Sequence, residues 1–201
     1  SSGSDANPGT TGSPWATLQH AYSQAAAGDT VKVRTATYYE WLDINKAGLI
    51  FEADTGHTPT IDGRYSPALF GAAGYKTSNG TAPKADELPC CNDANADLGN
   101  WVFPGANINT KGYSIIVRLR AANTKIKGFV IRNVAGRALG IEGNNAIAED
   151  CVIDFTYGGS VFVAATCSGG KLHGCTITRS SIKTFDPGAP GAGPDAVQTT
   201  V

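Results

Sequence analysis

The feature that most constrains the fold of this chain is a repeat of 22 to 24 residues in its second half. Three segments align without gaps: residues 126–131, 148–153 and 172–177. The alignment places similar residues in three columns, which are Ile126, Ala148 and Leu172, then Phe129, Cys151 and Cys175, then Ile131, Ile153 and Ile177. An internal period of this length is typical of a solenoid, in which each repeat forms one coil that packs on its neighbours.

Composition distinguishes between the two kinds of solenoid with this period. Leucine-rich repeats need leucine at fixed places, but the chain has only 9 Leu, against 13 Ile, 11 Val and 20 Thr. Short β-branched strands separated by Gly and Asn corners favour a β-helix, whose coils pair about 4.8 Å apart.

The net charge of -1 gives no basic face for nucleic acid. No apolar run reaches the length of about 18 residues that a membrane span needs.

The first third of the chain predicts one helix followed by short strands. Apolar residues at helical spacing over 15–27 predict an amphipathic helix, and Gly28 stands where a C-terminal glycine is expected. Alternating or β-rich stretches predict strands at 30–34, 42–45, 49–52 and 60–63. Residues 64–111 break the rhythm and are interpreted as a long loop excursion.

Motifs near the N-terminus resemble the opening of secreted right-handed parallel β-helix proteins of the pectate-lyase-like superfamily. They are Ser-Asp-Ala-Asn-Pro-Gly-Thr at 4–10, Pro-Trp-Ala-Thr-Leu-Gln-His-Ala at 14–21, Ala-Gly-Asp-Thr-Val-Lys-Val-Arg at 27–34 and Ala-Thr-Tyr at 36–38. The family's usual Pro-Gly-Thr-Tyr is only Ala-Thr-Tyr here. The resemblance spans nearly the whole chain except 64–111, and it is specific for the fold rather than for one activity.

The resemblance implies an all-β, right-handed parallel β-helix with an N-terminal capping helix. At roughly 22 residues a coil, we expect about five or six coils in a single domain over 1–201, with regular coils over 112–201. We also expect that domain to be open at its C-terminal end. An extracellular location and an acidic polysaccharide partner are further implications of the resemblance.

In polysaccharide-active members of this superfamily, substrate lies along the outer face of one sheet. The segments 115–120, 139–142, 160–163 and 195–199 are the best candidates for that sheet. Strand alternation predicts the outward side chains, which form a candidate substrate-binding stripe of Arg118, Arg120, Glu142, Phe162 and Gln198. Two arginines can hold uronate carboxylates, and an aromatic ring can stack on a sugar. The alternative is an ordinary solvated face on which Arg and Glu pair between coils.

The sequence identifies no catalytic residue and no cofactor. Lys171, Arg179 and Lys183 are possible bases, but nothing distinguishes among them. Calcium is a minor possibility. Asp150 and Asp154 are four residues apart, beside Glu149, and would share one face of a strand. Asp186 and Asp195 flank one loop. His20, His57 and His173 are scattered, and no metal site is expected from them.

The five cysteines favour an oxidising compartment with one or two disulfides, since Cys90 and Cys91 lie in a polar, loop-like stretch. The alternative for Cys151 and Cys175 is packing in the core as small hydrophobic residues.

Three functions remain open. The chain is a polysaccharide-lyase-like enzyme, a glycan-binding module without catalysis, or a structural protein that self-associates through the open end of its coils into a filament.

Overall fold

Each repeat of the sequence forms one coil of three short strands. The computed structural model describes residues 3–63, 115–134, 137–156, 160–180 and 197–199, without the side chains of Phe155, Ser180 and 197–199. The first coil contains β1 (Thr30–Val33), β2 (Thr37–Tyr38) and β3 (Leu42–Ile44), and the second contains β4 (Ile50–Ala53), β5 (Thr60–Asp62) and β6 (Ile115–Leu119). The third coil contains β7 (Lys125–Lys127), β8 (Val130–Val134) and β9 (Arg137–Ile141). The fourth coil contains β10 (Ile147–Glu149), β11 (Val152–Thr156) and β12 (Val161–Val163). The fifth coil contains β13 (Lys171–His173), β14 (Thr176–Ser180) and β15 (Val197–Thr199).

These strands build three parallel sheets, each with one strand from every coil. The first sheet has the order β1-β4-β7-β10-β13, the second β2-β5-β8-β11-β14 and the third β3-β6-β9-β12-β15. The fold is therefore a parallel β-helix, as predicted. Five strands in each sheet give five coils, related by four coil-to-coil steps, among the described residues.

The predicted columns are stacked in register inside the solenoid. Ile153 pairs with Ile131 on one side and with Ile177 on the other, and both Ile131 and Ile153 are fully buried. In the first sheet, Ala148 lies between Ile126 and Leu172 in the same way. Like side chains therefore stack on like, which is why the sequence repeats at coil length.

A further column, which the sequence alignment did not include, lies at the corner between the third sheet and the first. Its members have positive φ angles, one in each coil: Gly28 at 84°, Gly48 at 69°, Asn123 at 59°, Asn145 at 56° and Gly169 at 71°. Backbone hydrogen bonds link successive members of this column. The N–H of each member except the last donates to the carbonyl of the residue that precedes the corresponding member in the next coil. Gly and Asn occupy the column because other residues adopt this left-handed conformation at a cost. Gly28 belongs to this column, so its predicted role as a helix C-terminal glycine was wrong.

The predicted helix is shorter than 15–27. Helix α1 spans Leu18–Gln24, with Thr17 as its N-cap and Ala25 as its C-cap. Two carboxylates hold the N–H groups at its start: Asp5 accepts from Ala16 and Thr17, and Glu40 accepts from Leu18 and Gln19. The helix packs beside β3, where Leu18 and Ala21 join the core, so it covers part of the first coil.

The two long connections in the coils leave at the same corner. Residues 63–114 join β5 to β6, and residues 181–196 join β14 to β15, so each joins the second sheet to the third. The predicted excursion at 64–111 lies outside the described residues. No helix among the residues that the structure describes has the length and hydrophobicity of a membrane span.

Candidate functional site

The outer face of the third sheet carries the predicted stripe. Arg118 pairs in register with Asp43 below it and with Gly140 above it, and Phe162 lies between Gly140 and Gln198. The alternate positions Val117, Leu119, Leu139, Ile141 and Val161 are fully buried. The strands alternate as predicted, and Gln198 is placed in the column by its backbone register. We call Asp43, Arg118, Arg120, Glu142 and Phe162 the third-sheet cluster.

Two members of the predicted stripe, Arg118 and Glu142, form an ion pair with each other. Arg118 donates from Nε to Glu142 Oε1 and from Nη2 to Glu142 Oε2, both at 2.7 Å. Their side chains are only 27% and 17% exposed. The hydrogen bond to Glu142 is the main cause that raises the pKa of Arg118. This fork-to-fork geometry fixes the guanidinium plane and leaves part of its charge facing solvent.

Gly140 provides the room that this pair needs. A Cβ atom at position 140 would lie 3.0 Å from Glu142 Oε1 and 3.0 Å from Ile115 Cδ1. The Glu142 carboxylate therefore reaches across a strand position that has no side chain. A larger residue at this position would compete with the carboxylate for the same space.

Asp43 is the member of the third-sheet cluster that sequence reasoning missed. Its Oδ1 lies 3.1 Å from Arg120 Nε, yet this buried oxygen accepts no hydrogen bond from the described residues. Burial raises the pKa of Asp43, and Glu142 adds to the rise, whereas Arg120 and Arg118 oppose it. The alternation of Leu42, Asp43 and Ile44 does signal an outward carboxylate. Its partnership with the arginines depends on a register across residues 63–114, which periodicity does not give.

Phe162 contributes an aromatic ring to the third-sheet cluster, and the Arg137 side chain contacts the face of this ring. The Arg137 guanidinium carbon lies 4.9 Å from the centre of the Phe162 ring, within the range of a cation–π contact. The ring is half-buried. A sugar that stacks there would meet an aromatic face bordered by positive charge.

The other sequence candidates that the structure describes are not brought together. Asp150 does not share a strand face with Asp154, as the sequence had suggested, because it adopts a left-handed corner conformation with φ 51°. Asp154 instead accepts hydrogen bonds from Thr178 and Arg179 on the second sheet. Lys171 and His173 lie on β13 of the first sheet, away from the cluster. Lys183, Asp186 and Asp195 lie outside the described residues.

Carboxylates on the first sheet are engaged with lysines. Glu149 accepts from Lys125 at 2.8 Å and from Lys127 at 2.5 Å, and these hydrogen bonds lower its pKa to about 2. Lys127 also lies 3.7 Å from Asp150. No group of three or more His, Cys, Asp or Glu side chains in the described ranges is arranged to hold a metal ion.

The cysteines inside the described ranges are free thiols. Cys151 is buried, whereas Cys167 and Cys175 are half-buried. Cys90 and Cys91 lie outside the described residues. The buried position of Cys151 in its column agrees with the core-packing interpretation.

A cavity of about 650 Å³ lies at the N-terminal end of the solenoid, between the N-terminal turns, α1 and β1. Its lining is mixed and includes Trp15, Tyr38, Arg34 and Asp54. It contains no member of the third-sheet cluster, so the two features are separate.

Comparisons with known proteins agree on the fold. A rhamnogalacturonan lyase matches with a TM-score of 0.53 at 14% identity, over 87% of this chain and 49% of that chain. The complex structure of XylC with xylose matches with a TM-score of 0.57 at 12% identity, over 98% of this chain and 55% of that one. The chain thus spans about half the length of these structures, and at such identity the likeness shows the fold alone.

Sequence comparison adds a local likeness. A segment of 46 residues, 23% of this chain, is 52% identical to the uncharacterized protein YwoF of Bacillus subtilis (strain 168), of which it spans 10%. No family model matches the chain.

Proposed function

We propose that this chain is a carbohydrate-directed β-helix that binds an acidic polysaccharide along the outer face of its third sheet. The observation that carries the proposal is the convergence of Asp43, Arg118, Arg120 and Glu142 on one face, with Phe162 in the same column. Arginine recognises carboxylates in a planar, two-pronged manner that suits a uronate. The fold is also that of a rhamnogalacturonan lyase and of XylC in complex with xylose.

Asp43 is the proposed base if the site also cleaves its ligand by elimination. Its carboxylate would take the proton next to the uronate carboxylate while an arginine neutralises the charge that develops there. The electron pair of that C–H bond forms a carbon–carbon double bond, the bond to the leaving sugar breaks, and the leaving oxygen takes a proton from water. Burial supports this role, because it raises the pKa of Asp43 and so makes the ionised carboxylate a stronger base.

Calorimetric titration with a polyuronate, and with a neutral glucan of similar length, tests the binding. We expect the polyuronate to bind and the Arg118→Ala variant to bind it about tenfold more weakly, because one charge-assisted contact is lost. Arg132→Ala is the matched control, since Arg132 is paired with Asp62 at 2.9 Å on the second sheet. Equal binding of both glycans, or equal losses in the two variants, would contradict the proposal.

Glu142→Gln provides a test with the opposite sign. Because Glu142 occupies both prongs of the Arg118 guanidinium, loss of its charge should free Arg118 and tighten polyuronate binding about fivefold. Weaker binding would mean that the pair itself, rather than the arginine, contacts the glycan.

Ultraviolet absorbance of an unsaturated product distinguishes a lyase from a binding module. In a lyase, Asp43→Asn should abolish the product while leaving polyuronate affinity within about twofold. Binding without product formation from the unmodified chain would assign it to the non-catalytic class.

An extracellular location and self-association through the coil end remain predictions. Fractionation of the native cell would test the location, and solution mass with electron microscopy would test for filaments.

A further inference from the structure

Cys151 and Cys175 are stacked one coil apart at the corner between the first sheet and the second. The positions on both sides of them are in register, since Glu149 pairs with His173 and Val152 pairs with Thr176. The N–H of Thr176 also donates to the carbonyl of Cys151 at 2.9 Å. Paired parallel strands lie about 4.8 Å apart, which is inside the range of Cα separations that a disulfide spans.

The two thiols point in the same direction. The Cys151 Sγ lies 3.3 Å from the Glu149 carbonyl and 3.8 Å from the Ile126 carbonyl of the coil below. The Cys175 Sγ repeats this arrangement one coil higher, at 3.6 Å from the His173 carbonyl and 3.4 Å from the Ala148 carbonyl. The Cys175 sulfur is therefore directed toward the coil that holds Cys151.

The pair combines one protected thiol with one accessible thiol. Cys151 is fully buried, and Cys175 is half-buried. The neighbouring Cys151 thiol is the main cause that lowers the pKa of Cys175 to about 6, and Cys175 together with burial raises the pKa of Cys151. Cys175 is thus the group that reagents in solution meet first, and its lowered pKa favours the reactive thiolate form.

We propose that Cys151 and Cys175 are a redox-active thiol pair, which a small disulfide such as oxidised glutathione converts into a bridge between the fourth and fifth coils. The Cys175 thiolate attacks one sulfur of oxidised glutathione, forms a mixed disulfide and releases one glutathione thiolate. Cys151 then loses its proton, attacks the Cys175 sulfur and expels the second glutathione. Two protein thiols become one disulfide while one glutathione disulfide becomes two glutathione thiols.

This bridge joins β13 and the strands that follow it to the coil that carries Phe162. It closes a short loop of one coil, which restricts the unfolded chain and holds the fifth coil against the fourth. The inference rests on the thiols alone and does not depend on the proposed glycan site.

Mass spectrometry of the full chain after incubation with oxidised glutathione tests the pair. Free thiols are alkylated, and the protein is digested with trypsin without reduction. Cleavage after Lys171 separates Cys175 from both Cys151 and Cys167. We expect the peptide containing Cys175 to be linked to the peptide containing Cys151, with a loss of two hydrogens and release by dithiothreitol.

Cys167→Ala is the matched control, because Cys167 is a half-buried thiol that lies in the same tryptic peptide as Cys151. The link should persist in Cys167→Ala, and Cys151→Ala should stop at a glutathione adduct on Cys175. A link that disappears in Cys167→Ala would overturn the proposal. It would equally be overturned if the unmodified chain kept a stable adduct on Cys175 and formed no link.

Discussion

Ile153 gives the most quantitative test of the stacked core. It is fully buried and lies between Ile131 and Ile177 in the second sheet. Substitution by alanine removes about three methylene equivalents, worth about 2.4 kcal/mol in lost burial. The cavity that remains adds to this cost, because stacked neighbours on both sides hold the space open. We expect Ile153→Ala to lower the free energy of unfolding by about 3.5 kcal/mol.

Guanidinium unfolding followed by far-ultraviolet circular dichroism measures this loss, with the denaturant slope compared between variants. Ile177→Ala is the matched control, because Ile177 occupies the same column but is only partly buried. It should cost about half as much. A loss below about 1 kcal/mol for Ile153→Ala, or an equal loss for the two variants, would refute the idea that burial within the column sets the stability.

Three further predictions concern pH and backbone conformation. Hydrogen bonds from Lys125 and Lys127 hold the pKa of Glu149 at about 2, so ionised Glu149 stabilises the native state above its ordinary pKa, and this contribution is lost as pH falls toward 2. Glu149→Gln should therefore lower the Tm at pH 7, and the difference should disappear in a titration toward pH 2; a constant difference would contradict this. Burial raises the pKa of Asp43, so its ionised form destabilises the native state, and this cost appears as pH rises through the folded pKa. At neutral pH, the Tm of the Asp43→Asn variant should equal or exceed that of the unmodified chain, and this advantage should disappear below about pH 3. A lower Tm of the variant at neutral pH would show that ion pairing dominates. Asn145 has φ 56°, so Asn145→Ala should cost about 1 kcal/mol in urea unfolding while Asn145→Gly costs little, and equal costs would exclude backbone strain as the cause.

Local periodicity was sufficient to predict the solenoid. The columns of Ile131, Ile153 and Ile177 repeat because in-register coils place identical positions over one another. The outward direction of Arg118 and Phe162 followed from alternation within single strands, which depends only on neighbouring residues. Both inferences use short-range order that the sequence displays directly.

Features that depend on distant contacts could not be predicted in the same way. Asp43 and Arg118 are 75 positions apart in sequence, and their pairing requires the register between β3 and β6. The helix begins later than its apolar pattern indicates because Asp5 and Glu40 supply its N-terminal hydrogen bonds. The sequence pattern predicts Asp150 as a strand residue. In the structure it lies at a corner, where its N–H donates to the His173 carbonyl of the coil above. In each case the deciding partner lies in another coil or outside the local window.

The contrast between Glu149 and Asp43 supports the proposal that the outer face of the third sheet is the functional face. Both carboxylates lie beside two cations, yet the lysines lower the pKa of Glu149 to about 2, whereas burial outweighs the arginines and raises the pKa of Asp43. Glu149 is therefore placed where its charge stabilises the fold. Asp43 is held in a position that disfavours its charge, and its Oδ1 accepts no hydrogen bond from the residues that the structure describes. A group that lowers stability in its ionised form, within an outward cluster of charged side chains, marks a candidate site for binding or catalysis.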